Sequence, residues 1–277
     1  MRGETVGAGR VLDGSRVRAT VNRLWVAVNA AVIHLVGGGP RTSLFDPAFL
    51  HWHYFTKNLT WASRYATGTL VDLGCGTKPF ARFFAVERYF GLDVPFFSGG
   101  IETTPATPDL YGNACVLPLC SQSVQTVAAF QILEHVTQPA ALLREAVRVL
   151  VDGGVLVLTC PQAYPIHGHP HDYYRYTSNG LRYLLEEAGC EVVRLERNGS
   201  FGAYLGLMIN VYLFYHFFET RKRYAAKVAL GALKILLMPA LLVVICLVNL
   251  AGWSWNLCDD NEYFTSNYTV VARKLAR

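Results

Sequence analysis

Charge is what this chain has least of. Only 16% of its 277 residues are Asp, Glu, Lys or Arg, and 52% are hydrophobic. Soluble domains carry roughly 25% charged residues, so the deficit asks for a membrane or a large apolar partner. The net charge of +5 is small and scattered. It excludes a nucleic-acid surface built on a basic patch, but it suits anionic lipid head groups. Among seven cysteines there is no Cys-x-x-Cys pair, and the number is odd. This argues against a disulfide framework and for reduced, buried thiols on the cytosolic side. The P-loop pattern Gly-x-x-x-x-Gly-Lys-Ser/Thr is also missing. A basic N-terminal stretch leads into the apolar run Leu24 to Val36 without a small-x-small cleavage site. That run is short for a spanning helix, and a helix lying at a membrane interface fits it better.

What is present centres on Thr69 to Thr77. An apolar strand-like run ends in Asp72-Leu73-Gly74-Cys75-Gly76, and a helix-like segment, Lys78 to Val86, follows. Glycines at a strand end permit a sharp turn and a close approach of backbone to ligand. A dinucleotide fingerprint needs a third small residue at position 79, where this chain has Pro79. The Asp-x-Gly-x-Gly loop of S-adenosylmethionine enzymes fits as it stands; a tight turn with no ligand is the plain alternative. Tyr89 to Asp93 reads as a second strand. Asp93 lies 19 residues beyond Gly74, a spacing that sets a carboxylate beside the glycine loop, where it can accept ribose hydroxyls.

Further along, Ser123 to Phe130 reads as a strand and 138–150 as an amphipathic helix. Gly153-Gly154 reads as a turn into a strand from Val155 to Cys160. Strand–helix alternation of this kind implies an α/β fold with a doubly wound, mostly parallel sheet. Together, Val71 to Gly76, Gly91-Leu92-Asp93, Leu117-Pro118, Leu133-Glu134-His135-Val136 and Leu150 to Pro161 resemble the class I S-adenosylmethionine-dependent methyltransferases, specifically their type 11 group. The resemblance covers roughly residues 65–200 plus the final strand.

The resemblance implies a Rossmann-like sheet of seven strands, S-adenosyl-L-methionine as cofactor, and a cofactor site of Asp72, Gly74, Cys75, Gly76, Asp93, Asn113, Ala114 and Gln131. Of these, Asp93 would hold the ribose, Asn113 (where the family usually has Asp) and Ala114 would face the adenine, and Gln131 would close the pocket near the methionine part. More distant relatives in ubiquinone synthesis hold a divalent ion on a Glu-x-x-Glu-His run. Here that run begins with Gln131, so Glu134-His135 reads as an anchor for its loop.

The loop His167 to Thr177 follows the fifth strand and should overlook the methyl donor. It offers His169, His171 and Asp172, with His135, as catalytic candidates for removing an acceptor proton. His167, Tyr173, Arg175 and Tyr176 are candidate substrate contacts. Histidines at alternate positions are compatible with a metal, but no metal site is expected.

Before the last strand the chain inserts two apolar runs, Phe201 to Phe218 and Val228 to Trp253, joined by a basic link with Arg221, Lys222, Arg223 and Lys227. The last strand must rejoin the sheet, so both ends of the insertion lie on one membrane face. Two full crossings would put the basic link outside, against the positive-inside tendency. A hairpin dipping into one leaflet avoids that conflict.

Four regions follow: 1–66, N-terminal amphipathic and aromatic helices; 67–200, the cofactor-binding core; 201–253, an apolar hairpin; and 254–277, the return with the final strand. The expected protein is a membrane-associated methyltransferase, its catalytic domain on the cytoplasmic side. Its partners would be a lipid surface and a lipid or lipid-linked acceptor, with O-methylation favoured. Two alternatives stand beside it: an enzyme on a soluble acceptor with the hairpin as anchor only, and a non-catalytic scaffold. A homodimer burying the hairpin is a further arrangement, and no nucleic acid is involved.

Overall fold

The computed structural model describes residues 43–95, 107–218 and 224–276. The apolar run at 24–36 and residues 219–223 of the basic link lie outside them.

Seven strands form one sheet: β1 (Thr69–Leu73), β2 (Arg88–Asp93), β3 (Leu110–Tyr111), β4 (Val124–Phe130), β5 (Leu150–Pro161), β6 (Cys190–Arg197) and β7 (Asn267–Lys274), in the order β3-β2-β1-β4-β5-β7-β6. β1 to β5 are parallel, and β7 enters antiparallel between β5 and β6. β1 and β4 are buried almost throughout, as strands covered on both faces must be. The chain reverses its winding direction between β1 and β4, and the crevice at that switch point is where such sheets take their ligands.

Helices α1 (Phe49–Ala62), α2 (Pro139–Val149) and α3 (Ser178–Glu187) flank the sheet. α2 starts on Pro139, whose missing N–H costs nothing at a helix start, and it buries Leu142, Leu143, Ala146, Val147 and Val149. α3 is capped by Thr177, whose hydroxyl accepts from Gly180 N at 3.1 Å. α1 lays Phe55 and Leu59 on the opposite face, against Phe80, Phe84, Val155 and Val157. The aromatic stretch before β1 is thus largely core.

Two expectations about elements need correction. No α-helix follows the glycine loop; among residues 78–86 only Ala81–Phe83 make a single 3₁₀ turn. Lys78 has a positive φ of 57° and precedes Pro79, which disfavours helical backbone just before it. Phe80 stacks into the aromatic core 5.0 Å from Phe55 and 5.2 Å from Phe130. Among the described residues, no helix N-terminus therefore stands over β1. Gly153-Gly154 is not a turn ahead of a strand. It lies inside β5, where the register with β4 shifts between Val124 and Thr126, and Gly153 adopts φ +76°, as a bulge requires. β3, with two residues, carries too little pattern to be read from sequence.

The insertion forms α4 (Phe201–Phe218) and α5 (Tyr224–Asn256). They run antiparallel with close backbones: a Cβ on Gly252 would lie 2.8 Å from Gly202 O, and one on Gly206 would lie 2.7 Å from Leu50 Cδ1 of α1. Asn256 Oδ1 accepts from the Ser200 hydroxyl at 2.7 Å and so ties the two ends of the insertion together. Both ends therefore lie side by side, as return to the sheet demands. Inside, Asn249 donates to Leu44 O and Asp46 O, both at 2.8 Å, and accepts from Asn210 at 2.9 Å. A buried amide network of this kind fixes the register of the hairpin on the turn that leads into α1.

Candidate active site

The carboxyl ends of β1, β2 and β4 bring the predicted cofactor residues together. Leu73 pairs with Leu92 on one side and Ala129 on the other, so Gly74, Asp93 and Gln131 emerge from neighbouring strand ends. Gly74 has φ +69°, and a Cβ there would sit 2.6 Å from Ile132 Cδ1. Glycine is needed for both conformation and space. The N–H groups of Gly74 and Cys75 donate to Leu92 O, and Gly76 N donates to Asp93 Oδ2 at 2.8 Å. The turn is thus latched to β2. Asp93 Oδ1 accepts from Val94 N at 2.7 Å. An ionised carboxylate has about four acceptor positions, so two are left for a pair of hydroxyls.

Asp72 is buried, and Tyr89 donates its hydroxyl to Oδ2 at 2.6 Å. Its Oδ1 has no hydrogen-bond partner among the described residues. Burial raises the Asp72 pKa to about 7; the Tyr89 hydrogen bond and Lys78 oppose this, and Asp93 adds to it. Burial, reinforced by Asp72, also pushes the Tyr89 hydroxyl well above its usual range, so it stays a donor. Cys75 is buried, its thiol pushed up to about 12 chiefly by burial, and its Sγ fills the space that a Cβ on Gly91 would need. It supports the loop through packing.

Beside the loop, Lys78 Nζ and Asp109 Oδ2 pair at 2.6 Å, and Asp109 also accepts from Gly91 N at 2.7 Å. These residues, with Tyr89, were missed by sequence reasoning. The usable signal was the spacing of Asp109 just ahead of a strand too short to notice. Asn113 uses its Oδ1 to accept from Cys115 N at 2.9 Å, and Ala114 is buried. Gln131 has φ +51° and turns its amide onto Thr159 Oγ1 and Asn267 Oδ1, at 3.0 and 2.9 Å. It stitches β4 to β5 and β7.

The loop after β5 is pinned rather than open. Asp172 and Arg175 form a two-bonded fork at 2.6 and 2.7 Å, and Arg175 also donates to the carbonyls of Tyr164, Pro165 and Tyr174. Burial alone would raise the Asp172 pKa, but the Arg175 fork together with the His167 N–H and ring outweighs it and holds the group at about 2. Asp172 is therefore a fixed anion that organises the loop. Tyr176 is buried, with its hydroxyl on Leu133 O at 2.8 Å. His169 and Tyr173 are exposed, and His171 Nδ1 meets the Tyr173 hydroxyl at 3.0 Å.

His135 and His167 come together, their ring centroids 4.8 Å apart and perpendicular. Both face Glu134, which is wholly buried. Glu134, His135 and His167 offer one ligand atom each, all within 4.8 Å of one another.

The segment that builds the cofactor-side strands and the Glu134 loop, residues 71–158, matches the family described as a methyltransferase domain. The chain carries a class I, S-adenosylmethionine-dependent methyltransferase domain. Over 141 residues it is 30% identical to a Mycolicibacterium smegmatis protein named "probable S-adenosylmethionine-dependent methyltransferase", covering 47% of this chain and 55% of that one. Over 101 residues it is 34% identical to an "uncharacterized methyltransferase" of Mycobacteroides abscessus, covering 33% and 39%. The chain thus spans about half or less of the length of these curated relatives. Among solved structures, the (4+2)-cyclase SpnF superposes with a TM-score of 0.48 at 19% identity, covering 82% of each chain.

The residues of the methyltransferase domain fit the cofactor. The Asp72 Oδ1 atom, without a partner among the described residues, suits an ammonium, and Asp93 keeps acceptor capacity for two ribose hydroxyls.

Proposed function

We propose that the protein is a methyltransferase acting at a membrane surface, transferring the methyl group of S-adenosyl-L-methionine to an oxygen of a lipid or lipid-linked acceptor. The observation that carries the transfer reading is the buried, half-partnered Asp72 beside the Gly74–Gly76 turn and Asp93 at the switch point of the sheet. When bound, the cofactor supplies an electrophilic methyl on a sulfonium. The chain's own residues hold and orient. Asp72 takes the amino group, Asp93 the ribose, and Asn113 and Ala114 line the adenine side. The pinned loop 167–176 walls the acceptor side, so the main contribution is positioning in a water-poor crevice. We assign His171 as the group that takes the acceptor hydroxyl's proton. It is partly exposed, and it contacts the Tyr173 hydroxyl that would order an incoming acceptor.

Membrane association is supported by α5. Its stretch Leu236–Asn256 is long and apolar enough to cross a membrane by length and composition, with only 22% of its most apolar window buried inside the protein. Leu236, Val243 and Leu247 are more than half exposed, as are Tyr212 and Tyr215 of α4. Near the base of the hairpin, Trp255 and Tyr263 are more than half exposed, and Trp253 and Phe264 well exposed; this is where an aromatic belt meets head groups. The free thiols of all seven cysteines agree with a catalytic domain on the cytoplasmic side.

Calorimetry with S-adenosyl-L-methionine tests the first part. Binding that falls at least tenfold in Asp93→Ala is expected, and an absence of binding to the parent protein would sink the enzyme reading. Labelled-methyl transfer to a membrane lipid extract tests the second. Label confined to water-soluble acceptors would replace the lipid with a soluble substrate and leave the hairpin as an anchor.

A further inference from the structure

The Glu134 carboxylate is the least explained group in the molecule. It is 0% exposed, and neither oxygen has a hydrogen-bond donor among the described residues. A buried carboxylate with no partner is unfavourable unless a cation is supplied. Two histidines point nitrogens at it. His135 Nε2 lies 3.9 Å and His167 Nε2 3.7 Å from Glu134 Oε1, both too long for hydrogen bonds.

The proton positions follow from the far side of each ring. His135 Nδ1 lies 2.6 Å from the carbonyl oxygen of His171, and His167 Nδ1 lies 3.2 Å from that of Pro165. A carbonyl only accepts, so each Nδ1 carries the hydrogen. In the neutral rings the Nε2 lone pairs are then directed toward Glu134. Asp172 Oδ2, 3.5 Å from His167 Nδ1, adds a carboxylate behind that ring. Ligating histidines are held in this way from behind, by carbonyls and carboxylates.

We propose that Glu134, His135 and His167 form a binding site for one divalent first-row transition ion, zinc fitting best, with a coordination position left open toward the acceptor side. Two imidazoles and one carboxylate are a recurrent three-ligand set with an open fourth position. Bonds of about 2.0–2.1 Å in a tetrahedron put ligand atoms roughly 3.4 Å apart; here they lie at 3.7 and 3.9 Å from Glu134 Oε1. Small side-chain movements would close the set. The third ligand comes from the loop after β5. It does not come from position 131, whose side chain is committed to Thr159 and Asn267. The site does not depend on the transfer reading, since its ligands are separate from the cofactor residues. In the absence of metal, the competing state is an ion pair between a protonated His167 and Glu134.

The full-length protein, stripped with chelator, is titrated with Co(II) and followed by visible absorption. Expected are one equivalent per chain with ligand-field bands of a four- or five-coordinate ion, displacement by Zn(II), and at least tenfold weaker binding in Glu134→Gln and His167→Ala. Absence of bands with the parent protein, or binding unchanged in both variants, overturns the proposal and leaves the ion pair. If the His167→Ala protein does not fold, X-ray absorption of the zinc-loaded parent decides. Two imidazoles with oxygen support the site; sulfur ligation or an all-oxygen shell overturns it. Calorimetry with S-adenosylhomocysteine on the same samples reports separately on the cofactor site.

Discussion

Replacing Asp72 by Asn separates what this carboxylate costs the fold from what it gives the ligand. Its pKa is raised from 3.8 to about 7 by burial. A carboxyl whose folded pKa lies above its unfolded value holds its proton more tightly when folded. Stability is therefore lost as pH rises through the window from about 4 to about 7. With those two values, the cost works out at about 1.7 kcal/mol at pH 5 and about 4 kcal/mol at pH 8, as upper estimates. The amide introduced by Asp72→Asn keeps an oxygen for Tyr89 and has no charge to desolvate, so the variant's stability lacks this slope. Urea melts of the ligand-free protein at the two pH values should show the variant gaining about 2–3 kcal/mol on the parent between pH 5 and pH 8. Calorimetry at pH 8 should show cofactor binding weakened by at least tenfold, because the counter-charge to the ammonium is gone. For the parent, affinity should fall as pH drops below 7, where Asp72 becomes protonated. Parallel pH profiles of parent and variant would refute the claim that Asp72 is a strained, ligand-directed carboxylate.

Other perturbations follow from particular contacts. Gly74→Ala places a Cβ 2.6 Å from Ile132 Cδ1 at φ +69°; a loss of roughly 1–3 kcal/mol in urea melts is expected, and an unchanged midpoint would contradict the tight turn. Asn249→Ala removes the hydrogen bonds to Leu44 O, Asp46 O and Asn210. It should cost about 1–3 kcal/mol and speed proteolysis between α1 and α4, while equal cleavage rates would show that the hairpin is held by packing alone. Leu236→Asp with Leu247→Asp changes side chains that are 75% and 60% exposed. Far-ultraviolet circular dichroism should be retained while co-sedimentation with anionic vesicles drops at least tenfold, and undiminished co-sedimentation would remove this face from the membrane contact.

The sheet was legible wherever local pattern and topology agreed. β1, β4 and the return strand β7 are apolar runs between glycines and turns, and the Gly74-to-Asp93 spacing already set a carboxylate beside the glycine loop. Legibility failed where tertiary packing overrode local propensity. Lys78 to Val86 reads as helix, yet Pro79 and the burial of Phe80 and Phe84 keep it to one 3₁₀ turn. Gly153-Gly154 reads as a turn because a bulge and a turn use the same residue for the same positive φ. The two ends of the insertion were expected side by side from topology, and Ser200 with Asn256 closes them. The Asn210–Asn249 network could not be foreseen, since two amides in apolar helices carry no sign of which backbone they will meet.

Histidine placement shows the same limit at the site. Three histidines at alternate positions, 167, 169 and 171, look like one cluster in sequence. The fold splits them: His169 goes to the surface, His171 to Tyr173, and His167 inward to Glu134 and His135, which stand much earlier in the chain. The Arg175 fork on Asp172 explains the split, because it fixes the loop with His167 N on Asp172 Oδ2 at 2.9 Å. Two buried carboxylates with unpartnered oxygens, Asp72 and Glu134, then stand near the ends of the neighbouring strands β1 and β4. A fold that needed only stability would not keep both, since a buried carboxylate oxygen left without a donor is costly. Their presence is explained if each receives a cation from outside the chain: the ammonium of the cofactor at Asp72 and a metal ion at Glu134. On that argument the crevice between them is where donor and acceptor meet, and the two cation sites bound it on either side.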